Sequence, residues 1–176
     1  MRRLILLRHA KSDWADRALS DHDRPLAARG RAAAPLIGKW LAQSEGSPDR
    51  AVVSTARRTR ETWALVAREL DGAPEPVFER RIYEARASDL LDVVRETPDR
   101  VGTLLMVGHN PGMAELAARL VGAGDGEARL RMARKFPTAA VAVMEVYGDG
   151  WADLAPRTAS LVDFVTPRDL DGVEDE

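Results

Sequence analysis

The sequence predicts an α/β domain with a mostly parallel central sheet and helices on both faces. Three observations predict it. Short apolar runs alternate along the chain with longer stretches of helical period. Runs such as LILL and LLMV are apolar at successive positions, as strands covered on both faces must be. The length, 176 residues, is enough for one domain with a sizeable core.

RRLILL reads as the first strand, and the polar loop SDWADRALSDHDRP follows it. LAARGRAAAPLIGKWLAQS reads as a helix with Leu36, Ile37, Trp40 and Leu41 on one side; Pro35 is expected to kink it or mark a late start. DRAVVS is the second strand. TARRTRETWALVAREL is the second helix, with a stripe of Thr59, Trp63, Val66 and Leu70 at helical spacing. PVFERRIYEA reads as an extended segment. SDLLDVVRETP is a third helix with Ser88 as its N-cap and Pro98 beyond its end. GTLLMVGH is a third buried strand. NPGMAELAARLVG is a fourth helix, with Asn110 as N-cap and Pro111 at the first helical position. AAVAVMEVYGDGWADL reads as a hairpin turned at Gly148-Asp149-Gly150. Residues 1–170 are expected to form one domain, and the acidic stretch 171–176 a frayed tail.

Composition narrows the function classes. The net charge is -2, so no general nucleic-acid or anionic-membrane surface is expected. The chain has no cysteine, which removes disulfides, thiolate metal sites and a cysteine nucleophile, and fits a reducing, cytoplasmic setting. The opening apolar run is too short for a signal-peptide core, and nothing approaches a membrane span.

The informative pattern lies where the strands stop. LILL ends at Arg8-His9, AVVS leads into Ala56-Arg57-Arg58, and LLMVG ends at His109-Asn110. A lone arginine after a strand is ordinarily a solvated group, and a lone histidine ordinarily structural. In open α/β sheets, however, ligands bind beyond the carboxyl ends of the strands. The three ends together would bring two histidines and one or both arginines of the Arg57-Arg58 pair, with Arg8, to one rim. Arg57 and Arg58 lie about 100° apart around a helix, so only one of them enters such a pocket. His22, between two aspartates, reads as a loop residue. Guanidinium forks suit phosphate, and the helix starting at Asn110-Pro111 would add free backbone N–H groups. No HxH or HExxH spacing occurs, and arginines beside the histidines would repel a cation, so no metal site is expected. A neutral imidazole can attack phosphorus and form a covalent intermediate, with the surrounding cations stabilising the phosphoryl group in transit.

These residues resemble the histidine phosphatase superfamily, with its phosphoglycerate mutase-like fold. Arg8-His9-Ala10-Lys11-Ser12, the loop DHDRPLAARG, STARRTRET, IYEA and VGHNPG together look like the short SixA-type phosphohistidine phosphatases. The resemblance implies that His9 is the nucleophile and that Arg8, Arg58 and His109 hold the phosphate. The register of Ser54 to Thr62 on the family's second motif selects Arg58 over Arg57. Ala15 stands where mutase members usually carry asparagine, which argues against that branch. Glu84 takes the position of the general acid of larger members. No cofactor is implied. The activity implied is a metal-independent phosphatase acting through phospho-His9 on protein phosphohistidine. The alternatives are a promiscuous small-molecule phosphomonoesterase and a non-catalytic phosphate- or phosphopeptide-binding module.

Overall fold

The computed structural model describes residues 1–171; residues 172–176 of the expected tail lie outside the described residues. The strands are β1 (Arg2–Arg8), β2 (Arg50–Ser54), β3 (Val77–Glu79), β4 (Thr103–Gly108), β5 (Val121–Gly124), β6 (Val141–Val146) and β7 (Ala159–Val165). The helices are α1 (Ala28–Ser44), α2 (Arg57–Ala67), α3 (Ala87–Arg95), α4 (Gly112–Leu120), α5 (Gly126–Arg134) and α6 (Pro167–Asp171). One sheet runs in the order β3-β2-β4-β1-β6-β7-β5. Pairing is parallel except where β6 lies antiparallel to β1 and to β7.

The period-2 geometry of a strand explains the unbroken apolar runs. Leu4 and Leu6 point into one core with Leu90, Leu116 and Met132 of α3, α4 and α5. Ile5 and Leu7 point into the other with Ile37 and Leu41 of α1 and Trp63 and Val66 of α2. Trp63 is 3% exposed, so Trp63→Ala is expected to cost about 3–5 kcal/mol, read as a lower urea midpoint.

Several expectations change. Helix α1 starts well before Pro35 and carries it inside. PVFERRIYEA is only partly extended: β3 gives way to a 3-10 turn over Arg80–Ile82. The N-cap of α3 is Arg86, not Ser88; Asp89 Oδ2 accepts the Arg86 N–H at 3.1 Å and so closes the helix start. The partner of β6 is not GWADL, whose first residues form a 3-10 turn at Trp151–Asp153, but the later stretch β7. Trp151 is fully buried with its indole N–H on Val101 O, so the turn is held inward as a core plug. Val121 and Gly122, predicted as the end of the fourth helix, open β5 instead, and the stretches 123–134 and 159–165, for which the sequence predicts no element, complete β5 and form α5 and β7.

Gly30 has a packing reason. A Cβ there would lie 2.2 Å from Lys11 O, two residues beyond His9. Gly30→Ala must therefore push the loop after β1 away from α1. It is expected to cost about 1–3 kcal/mol, as overpacking does, measured by the shift in the urea midpoint.

Candidate active site

The three predicted strand ends do meet. β2, β4 and β1 are parallel neighbours, with Arg8 level with Gly108 and Val53 level with Val107. His9 and His109 thus emerge side by side, their ring centroids 5.2 Å apart. Both rings are buried, at 7% and 9% exposure.

Backbone and side-chain bonds hold His9 in place. Its N–H reaches Gly108 O at 3.0 Å, and Nδ1 lies 2.7 Å from Ala10 O. A carbonyl only accepts, so Nδ1 carries the proton and Nε2 keeps the lone pair. The next N–H, of Ala10, is accepted by Thr62 Oγ1 at 3.0 Å, which ties the loop to α2. Arg8 closes β1. Its Nη1 donates to Phe136 O at 3.0 Å, while Nε is buried without a partner among the described residues. The 136–140 stretch braces this end of β1: Asn110 Nδ2 also donates to Phe136 O, and the Ala139 N–H points at the carbonyls of Arg8 and His9.

Arg58 is 8% exposed and enters the site from the first turn of α2. Its guanidinium spans Asp21, with Nη1 on the backbone oxygen at 2.8 Å and Nη2 on Oδ2 at 3.1 Å. Arg57 points outward and pairs with Glu61 at 3.3 Å. His109 presents Nε2 to Ser54 Oγ at 2.7 Å, and its Nδ1 is buried without a partner among the described residues. Tyr83 packs edge-on against His109, centroids 5.5 Å apart, and donates its hydroxyl to Asp21 Oδ2 at 2.5 Å. His22 sits in a 3-10 turn, edge-on to Tyr83 and 2.9 Å from Thr55 Oγ1. Glu84 is exposed, in the left-handed region at φ 54°, and bonds to none of Arg8, His9, Arg58 or His109.

The start of α4 differs from expectation. Pro111, not Asn110, is the N-cap, after a cis Asn110–Pro111 bond. The N–H groups of Met113, Ala114 and Glu115 are taken by His109 O, Asn110 Oδ1 and Pro111 O. That helix end therefore does not offer the row of free donors read from the sequence.

The electrostatics follow from crowding cations under cover. Burial pulls the His9 pKa down to about 3, with His109, Arg58 and Arg8 adding to the effect against the bond to Ala10 O. Burial and then Arg58 bring His109 to about 3 as well. Burial and Arg58 lower Arg8 too. Burial works to raise Asp21, but the Tyr83 hydroxyl and Arg58 outweigh it and hold the carboxylate below its usual range. Burial and Asp21 push the Tyr83 hydroxyl up to about 12. Both histidines are thus neutral imidazoles at physiological pH.

A groove of about 540 Å³ runs alongside, lined in part by His22, Thr55, Arg57, Arg60 and Phe78. Among the described residues, no group of three or more His, Asp or Glu side chains is arranged to hold a metal ion. None of their helices is long and apolar enough to cross a membrane.

The family model of the histidine phosphatase superfamily (branch 1) matches residues 4–90. A Nakamurella multipartitia protein assigned as the phosphohistidine phosphatase SixA is 32% identical. Its structure superposes with a TM-score of 0.82, covering 94% of this chain and 96% of that one. This chain belongs to the histidine phosphatase superfamily. Its SixA-like character is supported by an Agrobacterium tumefaciens protein assigned the same way, 30% identical, with a TM-score of 0.80 over 94% of this chain and 98% of that one. The uncharacterized Mycobacterium tuberculosis protein Rv1276c is 39% identical over 165 residues, 92% of this chain and 100% of its own length.

As a histidine phosphatase, the chain is a phosphate-releasing hydrolase, and its site geometry has a stability consequence. Between pH 6.5 and about 3 the unfolded chain protonates His9 and His109 while the folded chain leaves both rings neutral. The stability these two rings contribute is therefore full above pH 6.5 and is lost as the pH falls through that window. Each ring contributes a slope of up to about 1.4 kcal/mol per pH unit. Urea titrations at pH 7 and pH 5 should show the loss. Replacing both rings by glutamine should flatten it.

Sequence reasoning missed Ser54, Thr62, Asp21 and Tyr83 as members of this candidate site. Ser54 and Thr62 stood inside the quoted second motif without a role of their own. Asp21 and Tyr83 come from loops whose approach to the site no local period encodes.

Proposed function

We propose that this histidine phosphatase works through a phosphohistidine on His9 Nε2, with protein phosphohistidine as its substrate. The observation that carries the reading is the buried, neutral His9 ring. Its Nδ1 proton is committed to Ala10 O, and two guanidinium groups and a second imidazole surround it. The Nε2 lone pair attacks phosphorus and forms a P–N bond as the substrate's P–N bond breaks. The leaving imidazole takes a proton from solvent. Water then attacks the phosphoryl group, the bond to His9 breaks, and inorganic phosphate leaves. Arg8 and Arg58 offset the charge on the phosphoryl oxygens throughout, together with His109.

The proton inventory favours a good leaving group. Asp21 is committed to Arg58 and Tyr83 and stays ionised, and the Tyr83 hydroxyl is held on Asp21, so neither supplies a proton readily. A phosphoramidate needs less help than an alkoxide does. The SixA assignment of the similar proteins from Nakamurella and Agrobacterium points the same way.

One observation favours a second reading, the phosphomonoesterase. Glu84, next to Tyr83, is an exposed carboxyl group bonded to none of the four central residues, and it is the remaining candidate for general acid. Comparing turnover of a phosphohistidine protein with turnover of small phosphate esters separates the two. On the leading reading Glu84→Gln leaves the phosphohistidine rate within about threefold, whereas loss of that rate by about a hundredfold or more would make Glu84 the acid.

A further inference from the structure

We propose that Ser54 is a positioning residue whose hydroxyl donates to His109 Nε2 and so places the proton of that ring on Nδ1, the nitrogen that bonds to no group among the described residues. The inference rests on the reading that the phosphoryl group sits between His9 and His109.

A neutral imidazole has one N–H and one lone pair, and the two arrangements of His109 have opposite effects on a phosphate. With the proton on Nδ1, the free edge of the ring donates. With the proton on Nε2, the same edge turns a lone pair toward anionic oxygens. The partner of Nε2 therefore decides whether the ring attracts phosphate or repels it.

That partner is Ser54 Oγ, 2.7 Å away. The direction of the bond follows from an inventory of donors. Ser54 is fully buried, so its hydroxyl proton has no water to turn to. Among the described residues Oγ has two partners: the Ala56 N–H at 3.4 Å and His109 Nε2. The Ala56 group is itself a donor and cannot receive the proton. The one acceptor in reach is Nε2. A reversed bond would leave a buried O–H with nowhere to go, a costly arrangement that folded proteins avoid.

The mount is rigid. Ser54 is the last residue of β2, and its backbone oxygen accepts the Thr59 hydroxyl at 2.8 Å. The groups around the ring are His9, Arg8, Arg58, Asp21, His22 and Tyr83. Burial, Arg58, Arg8 and His22 disfavour a second proton on the ring, against a smaller opposing effect of Asp21. One proton on the ring leaves the direction of the Ser54 bond as what sets its position. Nδ1, buried and without a partner among the described residues, is then a donor held ready for a phosphoryl oxygen.

A long-range proton–nitrogen correlation spectrum of the ¹⁵N-labelled, phosphate-free protein near neutral pH reads this directly. The chain has three histidines, so His9→Gln and His22→Gln spectra assign the His109 signals by elimination. The expected result is a protonated Nδ1 and a bare Nε2. In Ser54→Ala the proton should redistribute toward Nε2, and kcat/KM should fall by at least about tenfold. Ser54→Thr, which keeps the hydroxyl, should restore both. A purely structural serine would change stability without moving the proton. A protonated Nε2 in the unmodified protein overturns the proposal, as does a Ser54→Ala protein with both the proton and kcat/KM unchanged. If Ser54→Ala does not fold, the spectrum of the unmodified protein decides alone. That spectrum involves no substrate, so its failure is distinct from a failure of the phosphohistidine reading, which appears as absent label on His9.

Discussion

Replacing His9 by alanine is expected to remove measurable turnover on phosphohistidine protein and on small phosphate esters alike. It should also abolish labelling of the protein by a phosphodonor. The reason is the scarcity of nucleophiles. The chain has no cysteine, and the only other imidazole against the site's centre, His109, has Nε2 bound to Ser54. The label on the unmodified protein should survive base and be lost in acid, as a phosphoramidate does. Folding should persist, because the variant forfeits only the ring's bond to Ala10 O and its packing. It also removes one ring that resists protonation when folded, so the variant should lose less stability between pH 7 and pH 5. Retention of substantial activity by a folded His9→Ala protein would refute the mechanism.

Arg58→Ala should be the next most damaging change, costing about 3–4 kcal/mol of transition-state stabilisation, or a hundredfold to a thousandfold in kcat/KM. Arg58→Lys should recover little, since an ammonium cannot span the backbone oxygen and Oδ2 of Asp21 as the guanidinium does. Arg57→Ala is the control. Its side chain is exposed and paired with Glu61 four residues on, so the effect should stay within about twofold, as for exposed ion pairs. Arg58→Ala carries a second signature. Its charge helps to depress both histidines, so the acid limb of the pH–rate profile should move upward in the variant. Equal losses in the Arg57 and Arg58 variants would show that the effect is not local to this pocket.

Much of this site was legible because its parts sit at strand ends. The runs LILL, AVV and LLMV announce buried parallel strands, and a parallel sheet aligns their carboxyl ends. Helical spacing showed that Arg57 and Arg58 could not both enter. The motif register chose Arg58, and the burial of Arg58 beside an exposed Arg57 agrees with that choice. What stayed hidden was non-local or broke the local rule. Asp21 reaches Arg58 across 37 residues from an acidic loop that reads as solvated surface. Phe136 braces Arg8 through a backbone carbonyl, which no side-chain pattern reports. Ser88 looks like a helix cap, yet the helix begins one residue earlier and closes on Asp89. The sequence predicts GWADL as the partner of β6 because Gly148-Asp149-Gly150 looks like a tight turn. The buried Trp151 instead pulls the chain into a longer excursion before β7 begins.

The central position of β1 also bears on how the protein is made. Leu4 pairs with Leu104 on one side and with Met144 on the other. A ribosome delivers β1 long before either of its neighbours. Until Met144 has emerged, this apolar strand has an open edge, and such edges recruit other chains. Contacts this distant in sequence close slowly. The strand that mounts His9 is therefore the one that waits longest for its partners, and nascent chains of this protein are candidates for chaperone protection during synthesis.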